Sequence, residues 1–250
     1  MASPSVVTAT ESNATADDTS PFTVSRAAGV SGQLTIVVFA VDGNPTLTWP
    51  GDYTQFFVEI AVGNTHAIYG AYHQESGSEG TTFDITSSAS EKWAAIVYSI
   101  SGAETPATQA PEATTFDNSG VASASPDPPA ITPTGGSKDY LFIAAVATDG
   151  EEADDDTWGN TSPSGYTPDP PRQKTSGTTG LGTTNVSLET AELALTTAGP
   201  ENPGAFGNDQ SLAYAAATIV VHPASAPTVP LGWGPVTAQP YSIPGKVIVY

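Results

Sequence analysis

Cysteine is missing from all 250 residues, which excludes disulfides, thiolate metal sites and cysteine nucleophiles. Positive charge is scarce: six Lys and Arg stand against 26 Asp and Glu, for a net charge of −20 and a pI near 4.1. A surface of that sign repels phosphate backbones and anionic lipid, so nucleic-acid binding and membrane association are set aside. No apolar run approaches the ~20 residues of a membrane span. The N-terminal MASPSVVTATESNATADDTS has neither the basic nor the apolar region of a signal peptide. With only three His, and neither H-E-x-x-H nor G-x-S-x-G, zinc-hydrolase and serine-hydrolase signatures are also lacking. The Gly-rich run 176–182 lacks the Lys-Ser/Thr of a phosphate-binding loop.

Helical periodicity is almost absent, whereas turn-forming residues are abundant: 24 Gly and 22 Pro, with many Ser and Thr between them. They cut the chain into short apolar runs rich in β-formers. Strands are predicted over 33–41, 53–62, 65–73, 81–87, 92–100, 139–148, 184–195 and 212–222. Some alternate with period two, such as Phe57, Glu59 and Ala61 against Phe56, Val58 and Ile60. Others, such as LTIVVFAV, are apolar on both faces and belong in the middle of a sheet.

An internal repeat sharpens this reading. SGQLTIVVFAVDG is echoed by SKDYLFIAAVATDG, WPGDYT by SPSGYT, and EKWAAIVYSISGA by SLAYAAATIVVHPA, in the same order in both halves. The expected fold is therefore all-β: an antiparallel jelly-roll or double Greek-key sandwich over residues 1–224 with pseudo-duplicated halves. The half-repeats fall at about 31–104 and 136–224, and Leu34, Ile36, Phe39, Trp93, Ile96, Leu141, Ile143, Ile219 and Val221 are the expected core. A Pro/Ser/Thr-rich crossover, 105–135, should lie over the sheet surface with one edge strand near Ala113 to Phe116. Residues 225–250 are rich in Pro and form an extended arm. Its Leu231, Trp233, Tyr241, Val247, Ile248, Val249 and Tyr250 carry too much apolar surface to be left in water, so the arm is expected to dock on another subunit, its last four residues adding a strand to a sheet edge.

The segments SGQLTIVVFAVDGNPTLTWPGDYTQ, GSEGTTFDITSSASEKWAAIVYSISGA, PDPPAITPTGGSKDYLFIAAV and ENPGAFGNDQSLAYAAATIVVHPA resemble a β-sandwich module of structural proteins in tailed bacteriophages and haloarchaeal tailed viruses. The resemblance spans roughly residues 5 to 224 and carries no catalytic motif. It implies a non-enzymatic virion protein at the particle surface, of capsid-decoration or turret type. The implied partners are other virion proteins in a homo-oligomeric assembly. A tail or head fibre binding host-surface glycan is the alternative.

Candidate sites are few. Six acids crowd the eight positions from Asp149 to Asp156. This reads first as a solvated loop. Its candidate chemistry is a weak cation site of Asp149, Glu151, Asp154 and Asp156, suited to calcium, although the spacing is not that of an EF-hand. No other cofactor is implied. Trp49 and Trp158, at strand ends near Asp and Asn, are candidates for stacking on a sugar, against the commoner role of capping the core. The strand acids Glu59, Glu75, Asp84, Glu189 and Glu192 form no paired-carboxylate pattern, and Glu189 and Glu192 fall on opposite faces, so glycosidase chemistry is not indicated. Asn13, Asn160 and Asn185 head glycosylation sequons and are read as unmodified. The spread of acidic charge suits a protein kept soluble in high salt, where the screening length falls to roughly 3 Å at 1 M.

Overall fold

A computed structural model describes residues 3–61, 63, 65–149, 160–176, 185–208 and 211–225. The described residues are all-β, and no helix among them is long and apolar enough to cross a membrane. The strands are β1 (Ser5–Asp18), β2 (Phe22–Ser25), β3 (Leu34–Asp42), β4 (Leu47–Thr48), β5 (Thr54–Ile60), β6 (His66–Gln74) and β7 (Thr82–Ser87). They continue as β8 (Glu91–Ser101), β9 (Glu112–Asp117), β10 (Lys138–Asp149), β11 (Thr167–Thr175), β12 (Val186–Ala198) and β13 (Tyr214–Val221).

Two five-stranded antiparallel sheets carry the structure. The first has the order β1-β8-β3-β6-β5 and the second β11-β12-β10-β13-β9. Read from opposite ends these are one arrangement, with β9, β13, β10, β12 and β11 in the places of β1, β8, β3, β6 and β5. Register repeats as well. Leu34 lies opposite Ile100 and Ile36 opposite Tyr98, as Leu141 lies opposite Val221 and Ile143 opposite Ile219. The facing strands are reciprocal: β1 packs on β11 and β5 on β9, while β8 packs on β12 and β6 on β13. That is the pattern of a two-fold axis passing through β3 and β10.

The order differs from the expected Greek key. Counting β3, β5, β6 and β8 as one to four, the sheet runs four-one-three-two, where a Greek key runs four-one-two-three. Each large sheet also takes all five of its strands from one half of the chain, whereas a jelly roll distributes them over two. The chain leaving β3 first enters β4, in a separate three-stranded sheet of order β2-β7-β4. It then returns to the far edge as β5, so β6 comes to lie beside β3.

Three apolar layers result. Between the two large sheets lie Leu34, Ile36, Val38, Ile68, Ile96 and Ile100 with Leu141, Ile143, Leu188, Ile219 and Val221. The small sheet covers the outer face of the first, burying Phe22, Val24, Phe39, Ile85 and Trp93. On the outer face of the second sheet, Phe142, Val146 and Tyr214 are covered by loop residues Ile131, Tyr166 and Phe206. All nine expected core residues are buried, with Phe39 and Trp93 in the outer layer. The crossover contributes β9 as an edge strand, then ties itself over the second sheet through bridges at Ser123–Leu212 and Ile131–Glu201.

Candidate functional site

The structure brings together a polar cluster that no single sequence motif announced. It lies at one end of the outer layer of the first sheet, between that sheet and the small one. β6 points His73 outward, and two residues on, Glu75 keeps the same side because strand side chains alternate. A tight turn then folds Glu79 back. Its carboxylate accepts the amide N–H groups of Ser76 at 2.7 Å and Gly77 at 2.8 Å. Burial acts to raise the Glu79 pKa, but its hydrogen bonds, those with Ser76 foremost, outweigh it and hold the group well below the usual carboxylate range.

Glu75 is fully enclosed, with its side chain 0% exposed. Its Oε1 receives both the Arg26 guanidinium and the Thr35 hydroxyl. Arg26 also donates to the Tyr53 hydroxyl at 2.6 Å. The Tyr53 ring stacks on His73 at 4.9 Å between centroids, and burial pushes its phenol pKa upward. The second oxygen, Glu75 Oε2, has no hydrogen-bond partner. Gly29 matters here because a methyl group on it would collide with the carboxylates of both Glu75 and Glu79. One ligand-type atom each from His73, Glu75 and Glu79 lie within 4.8 Å of one another.

Of the residues singled out in the sequence, Trp49 is half-buried. It stacks on Tyr53, meets Phe39 edge-on and donates its indole N–H to Gln55 at 2.8 Å. The backbone of Asp149 ends β10 opposite Val186; its side chain, with Glu151, Asp154, Asp156 and Trp158, lies outside the described residues, as do Leu231, Trp233, Tyr241, Val247, Ile248, Val249 and Tyr250. Glu189 and Glu192 do take opposite faces. Glu189 accepts from Asn160 at 2.6 Å and Asn208 at 3.2 Å on the outer side. Glu192 turns between the sheets to pair with Arg172 at 2.8 Å, whose guanidinium lies 5.8 Å from the Tyr98 ring centre. The sequon residues are occupied: Asn13 donates to the Thr175 carbonyl at 2.6 Å, Asn160 holds Glu189, and Asn185 accepts from Lys92 at 2.9 Å.

A second feature is a shallow cleft of about 250 Å³ on the outer face of the second sheet, lined by Phe116, Tyr214, Asp127, Asn202 and the Pro128-Pro129 pair. No family model, curated protein or solved structure matches the chain.

Proposed function

We propose that the chain is a non-enzymatic structural protein of a virus particle, exposed at the particle surface as a capsid-decoration or turret subunit. In this reading it assembles with copies of itself and with other virion proteins through residues 225–250. The resemblance across residues 5 to 224 supports the class. The observation that carries the assembly part is the position of Ser225, where the segment 225–250 begins. Ser225, the last described residue, donates its amide N–H to Glu104 at 2.8 Å, next to the bridge between Ala103 and Pro223. This is the end of the sandwich from which β9 starts, since Val220 pairs with Glu112.

The two sides of the sandwich differ in what they offer a partner. β11 carries Pro168, Pro170 and Pro171, which blunt an edge, and it is tied to β1 by Asn13. β5 and β9 lie together on the opposite side, free of proline, with Val58, Ile60 and Phe116 exposed. An arm ending in Val247-Ile248-Val249-Tyr250 has there a sheet edge of the kind strand addition requires. The test is truncation after Ala224, read by mass spectrometry and imaging of purified particles. A folded sandwich that no longer assembles is the expected result, and normal assembly of the truncated chain defeats the docking role.

One observation favours a second reading, glycan binding. The Phe116–Tyr214 cleft brings aromatic residues together with Asp127 and Asn202, the combination of stacking and hydrogen-bonding residue types that sugars require. A glycan array probed with the native chain and with Phe116→Ala decides it: signals lost in the variant support the reading, and no bound glycan removes it.

A further inference from the structure

We propose that His73, Glu75 and Glu79 form a binding site for a divalent transition-metal ion, a site separate from the acidic run 149–156 and independent of the virion reading. The argument begins with the imidazole. His73 Nδ1 lies 3.0 Å from the backbone carbonyl of Asp52, an atom that only accepts, so Nδ1 carries a proton. Such an Nδ1–H to carbonyl bond is the usual device that fixes a ligating histidine and presents its Nε2 lone pair. That Nε2 faces Glu79 Oε1 at 3.1 Å, another acceptor. Two acceptors facing each other at this distance have room for a shared cation beside them.

Glu75 Oε2 is the second atom that calls for a cation. This oxygen is enclosed and without a partner, and leaving a buried carboxylate oxygen unsatisfied is costly. Arg26 and Thr35 hold the other oxygen of the same carboxylate and so fix the orientation of Oε2. With no side chain at Gly29, Glu75 and Glu79 converge there. A metal ion satisfies His73 Nε2, Glu79 and Glu75 Oε2 together. Three protein ligands leave positions for water, as in open zinc sites.

The donor set selects the metal class. One imidazole with two carboxylates suits zinc and its neighbours in the first transition row, whereas calcium takes an all-oxygen shell. Charge is compatible: Arg26 offsets Glu75, and the carboxylates of Glu79 and, beside the ring, Asp52 at 3.5 Å from Nδ1 remain to balance a dication. The spacing His-x-Glu-x₃-Glu places all three ligands on one strand end and its turn, so a bound ion would close the start of the β6–β7 connection on itself, beside Gly29.

The test uses the full chain stripped with a chelator and titrated with zinc chloride by calorimetry. One ion per chain is expected, with binding at least about tenfold weaker in Glu79→Gln and in His73→Gln, each checked for native circular dichroism, and unchanged in the double variant Asp154→Ala, Asp156→Ala. Because there are only three His, histidine-selective nitrogen NMR on the native chain gives a second readout that no folding defect confuses: zinc should shift the His73 ring nitrogens and leave those of His66 and His222 in place. No stoichiometric zinc binding, a His73 ring unmoved by zinc, or binding lost only in the acidic-run variant overturns the proposal.

Discussion

His66 donates its Nε2–H to the carbonyl of Ala147, 3.1 Å away, and so joins the start of β6 in the first large sheet to β10 in the second. The ring is wholly buried. Burial disfavours its charged form, outweighing the carbonyl bond, and brings its pKa from the ordinary 6.5 down to about 4. The neutral ring is therefore the one the fold accepts. Stability from this group is complete above the unfolded pKa and is lost as pH falls from about 6.5 through 4, because the unfolded chain takes up the proton first. The loss amounts to about 3 kcal/mol. Urea unfolding at pH 7 and pH 4 should give a smaller acid loss in His66→Gln than in the native chain. Equal losses would show that the linkage lies elsewhere.

Gly70 on β6 lies opposite Phe57 on β5, and the phenyl ring occupies the space where a methyl group on Gly70 would stand. Gly70→Ala is expected to destabilise by about 1–3 kcal/mol through overpacking. Combining it with Phe57→Leu should recover part of that loss, since the two side chains compete for one volume. Additive losses in denaturant midpoints would contradict the competition.

Arg26 and Glu75 form an enclosed ion pair, with side chains 4% and 0% exposed. Arg26→Ala should cost about 3–5 kcal/mol, because it leaves Glu75 charged, buried and unpaired. Adding Glu75→Gln should return a large share of that loss. A single variant as stable as the native chain would mean that the pair contributes nothing.

The net charge of −20 comes from 26 acids answered by six Lys and Arg. If self-repulsion limits stability, the thermal midpoint should rise from low to molar salt with sodium and potassium alike, as screening shortens. A flat response would leave the charge as a solubility feature.

Most of the strands legible in the sequence are buried on one or both faces. Each of the eight predicted is found, with ends shifted by only a few residues, because a period of two in apolar residues survives wherever packing demands it. β1, β2, β4 and β11 were not legible. β1 and β11 are edges with weak apolar content, and the prolines of β11 read as turn chemistry although an edge tolerates them. β2 and β4 are too short to show a period. The repeat was legible because Leu34, Ile36, Leu141 and Ile143 meet the same steric demand on equivalent central strands.

The polar cluster was hidden for a different reason. Glu75 read as one more strand acid outside any paired-carboxylate pattern, since alternation assigns it a side but says nothing about what covers that side. Arg26, Tyr53 and Gly29 reach it from other elements, and their sequence positions do not reveal that they meet. The spacing of His73, Glu75 and Glu79 was the one local signal available.

By itself, the sequence determined the fold class, the positions of the central strands and the duplication, since these follow from local alternation, turn residues and repeated side chains. Only the tertiary structure decided the strand order, the number of layers and the meeting of His73 with Glu75 and Glu79. β3 is apolar on both faces, so its pattern cannot tell whether one sheet or two will cover it. The answer depends on where β2, β4 and β7 come to rest, and that is set by the burial of Phe22, Phe39 and Trp93 across elements far apart in the chain.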